Sequence, residues 1–85
     1  MEFSETEIRL TELIDSFSDY LPAEQIAEMR SLARAGEYGI SLENLCTQLF
    51  EYDVNIARST YAEIDQVGSA MGIDSKYWDR LDCRD

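Results

Sequence analysis

No histidine occurs in this sequence, and its two cysteines, Cys46 and Cys83, stand far apart. That removes the ligand sets that hold zinc, and it leaves every hydroxyl and thiol without an imidazole base to activate it. Two cysteines are too few for a disulfide framework. Positive charge is also scarce: seven basic residues face eighteen acidic ones, for a formal net charge of −11. Nucleic acid and anionic membranes both demand positive charge, so neither is expected as a direct partner. No apolar run approaches the about 20 residues of a membrane span. Glu2, Glu5 and Glu7 occupy the place where a secretory leader carries basic and then apolar residues, so the expected compartment is the cytoplasm. Proline occurs once and glycine four times, which leaves long stretches free to be helical.

What is present is helical periodicity. Hydrophobic residues at 45% and charged residues at 29% are ordinary globular values and argue against disorder. Eighty-five residues suit one domain, spanning 1–85, with 82–85 expected to fray. Such a chain buries only about 60% of its unfolded surface and gains a modest core. No segment alternates with period two. The pattern predicts an all-α fold, a compact single-domain bundle of four to five short helices.

The first helix is expected over about residues 4–17. Ser4 and Glu7 have the spacing of a capping box, and Phe3, Leu10, Leu13, Ile14 and Phe17 share a face. Ile8 points away from it. Pro22 suits the first position of a second helix that runs to Ala35, with Ile26, Met29, Leu32 and Ala33 inward. Gly36 closes it as a left-handed cap. The third helix covers about residues 41–52. Leu42, Leu45, Cys46, Leu49 and Phe50 form its inner arc, and Glu43, Asn44, Thr47, Gln48 and Glu51 its outer arc. Residues 53–55 break the period. The fourth helix spans about 57–70, with Ala57, Tyr61, Ile64, Val67, Gly68 and Met71 inward and either Asn55 or Ser59 as its cap. Gly68 on an inner face implies close approach of another element. Gly72 ends this helix, and Asp74 caps a short fifth one over about 75–81, with Tyr77 or Trp78 packing back.

Constellations with chemistry are few. Asp53-Val54-Asn55 opens like a calcium loop, but the loop's glycine is missing and Ile64 stands where a bidentate glutamate belongs. The carboxylates are scattered over outer helix faces, no titratable pair is set apart in a cleft, and no glycine-rich phosphate loop occurs. No metal, cofactor or enzymatic activity is expected. Gly72-Ile73-Asp74-Ser75 resembles the attachment motif of acyl-carrier proteins, where a serine takes a phosphopantetheine arm. Here Lys76 stands in place of the leucine that normally follows, and little chain remains for the long helix that normally begins there. Asp74 as a simple cap explains the same residues.

Binding remains. Glu43, Glu51 and Asp53, beside Tyr52, form the best local group of acids and aromatics. The same stretch reads equally well as a solvated helix face ending on a capping aspartate.

Leu21-Pro22, Gly36-Glu37-Tyr38-Gly39, Leu42-Glu43-Asn44-Leu45-Cys46, Glu51-Tyr52-Asp53 and Met71-Gly72 resemble, in order and spacing, the MafI-type immunity proteins. These are small cytosolic antidotes encoded beside polymorphic or contact-dependent secreted toxins. The resemblance runs from about residue 21 to 78. The loop after Tyr52 departs from the pattern, with Asn55, Ala57 and Arg58 where a proline and a Ser or Thr cap are usual. The resemblance implies one-to-one neutralisation of a cognate toxin domain by a monomer. Such toxins are commonly nucleases, whose sites attract phosphate with Lys and Arg, so an acidic inhibitor suits them. Residues shared across a family that meets different toxins serve the fold. The outward, non-motif residues expected to face the toxin are therefore Thr47, Gln48, Arg58, Ser59 and Glu63, and the acid–aromatic group of Glu43, Glu51, Tyr52 and Asp53 is expected beside them. The competing expectations are a carrier modified at Ser75 and a generic acidic adaptor.

Overall fold

A computed structural model describes residues 4–81 and Cys83. The expectations for Phe3 and for the fraying of 82, 84 and 85 lie outside the described residues. Five helices follow one another: α1 (Glu5–Asp15), α2 (Ala23–Arg34), α3 (Tyr38–Glu51), α4 (Arg58–Ala70) and α5 (Lys76–Asp79). Among the described residues the only extended pairing is an isolated parallel bridge between Ile56 and Cys83. The fold is an all-α bundle, as the periodicity predicts.

One end of the bundle is tied by a small polar cluster. Ser4 Oγ accepts from the Glu7 amide at 3.0 Å and shares a 3.0 Å hydrogen bond with Tyr38 Oη. The Glu7 carboxylate, expected to complete the capping box, instead accepts from Tyr38 Oη at 3.3 Å. The starts of α1 and α3 therefore lie together. Across the molecule, Arg9 Nη2 donates to Glu63 Oε1 at 2.8 Å and to Gln66 Oε1 at 3.1 Å. Further along α1, Glu12 and Ser16 line a crevice with Ser59 and Thr60. So α4 runs antiparallel to α1. The end of α1, the end of α3 and the start of α4 share the opposite end of the bundle.

The core takes its side chains from every helix: Leu10 and Ile14, Met29, Leu42 and Leu45, Ile64, and Trp78 are each at most 1% exposed. Gly68 explains how a four-residue helix contributes the largest of them. A Cβ built at Gly68 would fall on Cη2 and Cζ3 of the Trp78 ring. The indole lies directly against the α4 backbone, and its Nε1 donates to Asp65 Oδ1 at 3.0 Å, giving a buried ring a partner for its one polar atom.

Several expectations need correction. The third helix begins at Tyr38, not residue 41. The start of α4 is capped by neither Asn55 nor Ser59. Ala57 occupies the cap position without a side-chain bond, and it is exposed rather than inward. The fifth helix is a single turn, although Asp74 Oδ1 does accept from the Lys76 amide at 2.9 Å.

The largest correction concerns the rotation of α3. At about 100° per residue, Leu45 stands about 60° to one side of Leu42 and Phe50 about 80° to the other. Ser41, further round on the Leu45 side, is wholly buried, while Phe50 is 49% exposed. Ser41 Oγ donates to the Met29 carbonyl of α2 at 2.8 Å. The buried arc is thus turned by roughly 40° toward α2 from the one the apolar residues mark. α2, three turns long, packs along α3 on the Ser41 side, whereas the helix that meets α3 on the Phe50 side is the one turn of α5.

Three helices end alike. Glu37 N–H bonds Leu32 O at 2.9 Å, Val54 N–H bonds Leu49 O at 3.0 Å, and Ile73 N–H bonds Gly68 O at 3.0 Å. Each pattern needs a left-handed residue one position earlier. Gly36 and Gly72 supply it at φ 83° and 72°, whereas the third is Asp53 at φ 50°. An L-residue bears a steric cost there that glycine does not. Asp53→Gly should therefore raise stability by about 0.5–1 kcal/mol, seen as a melting temperature a few degrees higher by circular dichroism. A lower melting temperature would mean that the Asp53 side chain stabilises the turn by more than the backbone conformation costs.

Candidate functional site

The nine residues singled out in the sequence do not form one face. Glu43 and Thr47 are half-buried along the middle of α3. Gln48 is also half-buried, and its Oε1 is covered without a hydrogen-bond partner among the described residues. It lies on the side turned toward α2, for the same reason that Ser41 is buried. Glu63 is half-buried and holds Arg9, whose Nε and Nη2 both reach its Oε1, at 3.1 and 2.8 Å. Glu63 thus fastens α4 to α1.

The rest gather at one end. Glu51, Tyr52 and Asp53 are exposed at the end of α3, and Arg58 and Ser59 are exposed in the first turn of α4. Tyr52 is 53% exposed. The last turn of α3 contains no basic residue, so the negative end of its dipole adds to the Glu51 and Asp53 carboxylates. Beside this corner, Ser59 and Glu63 join Arg9, Glu12 and Ser16 in lining the α1–α4 crevice, of about 330 Å³. Its floor is Leu13.

Sequence reasoning missed two residues of this corner. Phe50, assigned inward, presents half its surface to solvent. Arg80, at the end of α5, lies over its ring with Cζ 4.3 Å from the centroid. Phe50 stands at the margin of the apolar arc, and that marginal position was the one available signal. No local pattern announces Arg80, which reaches Phe50 through tertiary packing.

Two titratable groups outside the exposed run are shifted. Burial pushes the Cys46 thiol up to about 12, with nearby Arg80 opposing and Glu43 adding to the effect. It stays protonated and serves as a small apolar side chain. Burial first, then the charges of Asp79 and Asp65, raise the Tyr61 phenol above its ordinary value. Ser75 is exposed and donates to Asp79 Oδ2 at 3.4 Å, at the start of a helix of four residues. Among the described residues no three His, Cys, Asp or Glu side chains are grouped to hold a metal ion, and no helix is long and apolar enough to cross a membrane.

The arrangement offers an exposed junction of carboxylates and aromatic rings. Carboxylates of this kind can attract a basic surface, and exposed rings can supply contact area that is desolvated on binding. No protein-family model, curated protein or solved structure matches the chain.

Proposed function

We propose that this chain is an immunity protein that binds and neutralises a cognate secreted toxin domain. The partner is a basic protein, a nuclease, held one-to-one by the monomer in the cytoplasm. The reading starts from the resemblance of residues 21–78 to MafI-type immunity proteins. The observation that carries it further is Asp53. Of three equivalent left-handed helix ends, two use glycine and one uses an aspartate. That aspartate lies in the exposed run Glu51-Tyr52-Asp53. A strained backbone position that keeps a charged side chain on an open surface is typical of a binding site.

A net charge of −11 suits an inhibitor that presents carboxylates where a nuclease expects phosphates. Such fields raise association rates by roughly 10- to 1000-fold at low salt. Exposed ion pairs contribute only about 0–1 kcal/mol each, so Tyr52 and Phe50 are assigned the desolvated contacts that slow dissociation.

The test is co-expression with the toxin domain encoded beside this chain. Expressed alone, the domain should arrest growth and degrade nucleic acid; with this chain, growth should be restored. If growth stays arrested while both proteins accumulate in soluble form, the immunity reading is wrong and an acidic adaptor with another partner takes its place.

A further inference from the structure

We infer that the exposed face of Phe50 is a receptor for an arginine side chain of the partner, occupied by Arg80 in the free protein and surrendered on docking. The inference rests on the basic partner proposed above and names the contact that partner makes.

Phe50 is one of five large hydrophobic residues left about half-exposed, and among them it is the one with a cation over its ring. It lies between the α5 turn and solvent, with the Arg80 guanidinium above its ring at 4.3 Å. That distance is well within the range at which a ring quadrupole attracts a cation. Arg80 makes no ion pair among the described residues, and it stands at the end of a single helical turn. Nothing else in the described structure fixes its guanidinium, so a competitor has little to overcome.

A partner arginine would gain what Arg80 does not. Arriving from solvent, it meets the ring near the unneutralised end of the α3 dipole, with the Asp53 carboxylate three positions on in the chain. The planar guanidinium can stack and bond at once, whereas a lysine ammonium is a compact, strongly hydrated charge. The receptor therefore prefers arginine. Arg80 also acts against non-specific cations, because it keeps the ring covered until a better-placed guanidinium arrives.

Acetylated oligoarginine and oligolysine peptides are suitable probes, titrated into the whole protein and followed by NMR. Oligoarginine should shift the resonances of residues 50–53 and bind more tightly than oligolysine. Arg80→Ala should strengthen oligoarginine binding by roughly two- to fivefold. Arg34→Ala removes the same charge at the far end of α2 and should strengthen it less. Phe50→Leu keeps apolar bulk at the surface, and it should abolish the gain from Arg80→Ala. An Arg80→Ala gain no larger than that of Arg34→Ala overturns the receptor, as does a gain that survives Phe50→Leu. The first comparison stands even if Phe50→Leu fails to fold. Should the receptor fail while co-expression still restores growth, the immunity reading holds and the partner docks elsewhere. Should the receptor hold while growth is not restored, the arginine-bearing partner is not this toxin.

Discussion

Gly68→Ala should destabilise the protein by about 2–4 kcal/mol, which is a large share of the stability of so small a domain. Alanine normally favours a helix interior over glycine by about 1 kcal/mol, so the sign of this result is informative. The added methyl would occupy the space of the Trp78 ring. The indole is a rigid plane, 1% exposed, and its Nε1 is tied to Asp65. It cannot turn aside without losing that bond and opening the α4–α5 junction. Losing the ring altogether resembles a tryptophan-to-alanine change in a core, about 3–5 kcal/mol. In melting temperature the loss is roughly 10–25 °C. Trp78 is the single tryptophan, so its fluorescence reports the transition directly. Gly39→Ala is the control. A Cβ there meets Ile73 Cδ1 at an ordinary 3.8 Å, and the substitution should leave stability unchanged or raise it. Equal melting temperatures for the two variants would contradict the close packing of α5 on α4.

The second large effect concerns binding. Glu51→Lys combined with Asp53→Lys should weaken association with the proposed toxin partner by roughly 10- to 100-fold at low ionic strength. Each reversal moves the net charge by two, so the protein goes from −11 only to −7 and remains strongly acidic. A loss of this size therefore reports the place of the charges and not their number. Reversing Glu24 and Glu28, exposed on α2, changes the total equally and should cost much less. Most of the α3 effect should fall on the association rate and shrink at high salt, where the screening length drops to about 3 Å at 1 M. Calorimetry and stopped-flow association would show both. Equal losses for the two pairs would mean that the acidity acts only as a diffuse field.

The features readable in the sequence were those governed by near neighbours. Gly36 and Gly72 marked left-handed helix ends because nothing else tolerates that backbone so freely. Gly68 on an apolar face announced a close approach, and Trp78 supplies it. The helices themselves followed from apolar spacing. Features that depend on a distant partner were not readable. Which neighbour covers each side of α3 decides that Ser41 is buried and Phe50 half-exposed, and the residues of α3 alone cannot say that α2 is long and α5 a single turn. Gln48 reads as outward for the same reason. Glu63 looked like free surface because its partner, Arg9, lies fifty-four positions away in sequence. A capping aspartate is legible in Asp53 from its type, but not the left-handed backbone by which it ends α3. The candidate site therefore contracted from nine residues along α3 and α4 to the corner of Phe50, Glu51, Tyr52 and Asp53, with Arg80 added from α5.

The most direct measurement of that claim is amide hydrogen exchange on the protein alone and in complex with the toxin domain. Slower exchange in the complex is expected around residues 50–53 and the adjoining first turn of α4, with the outer face of α2 unchanged. Protection centred on α2, with 50–53 exchanging as in the free protein, would contradict it.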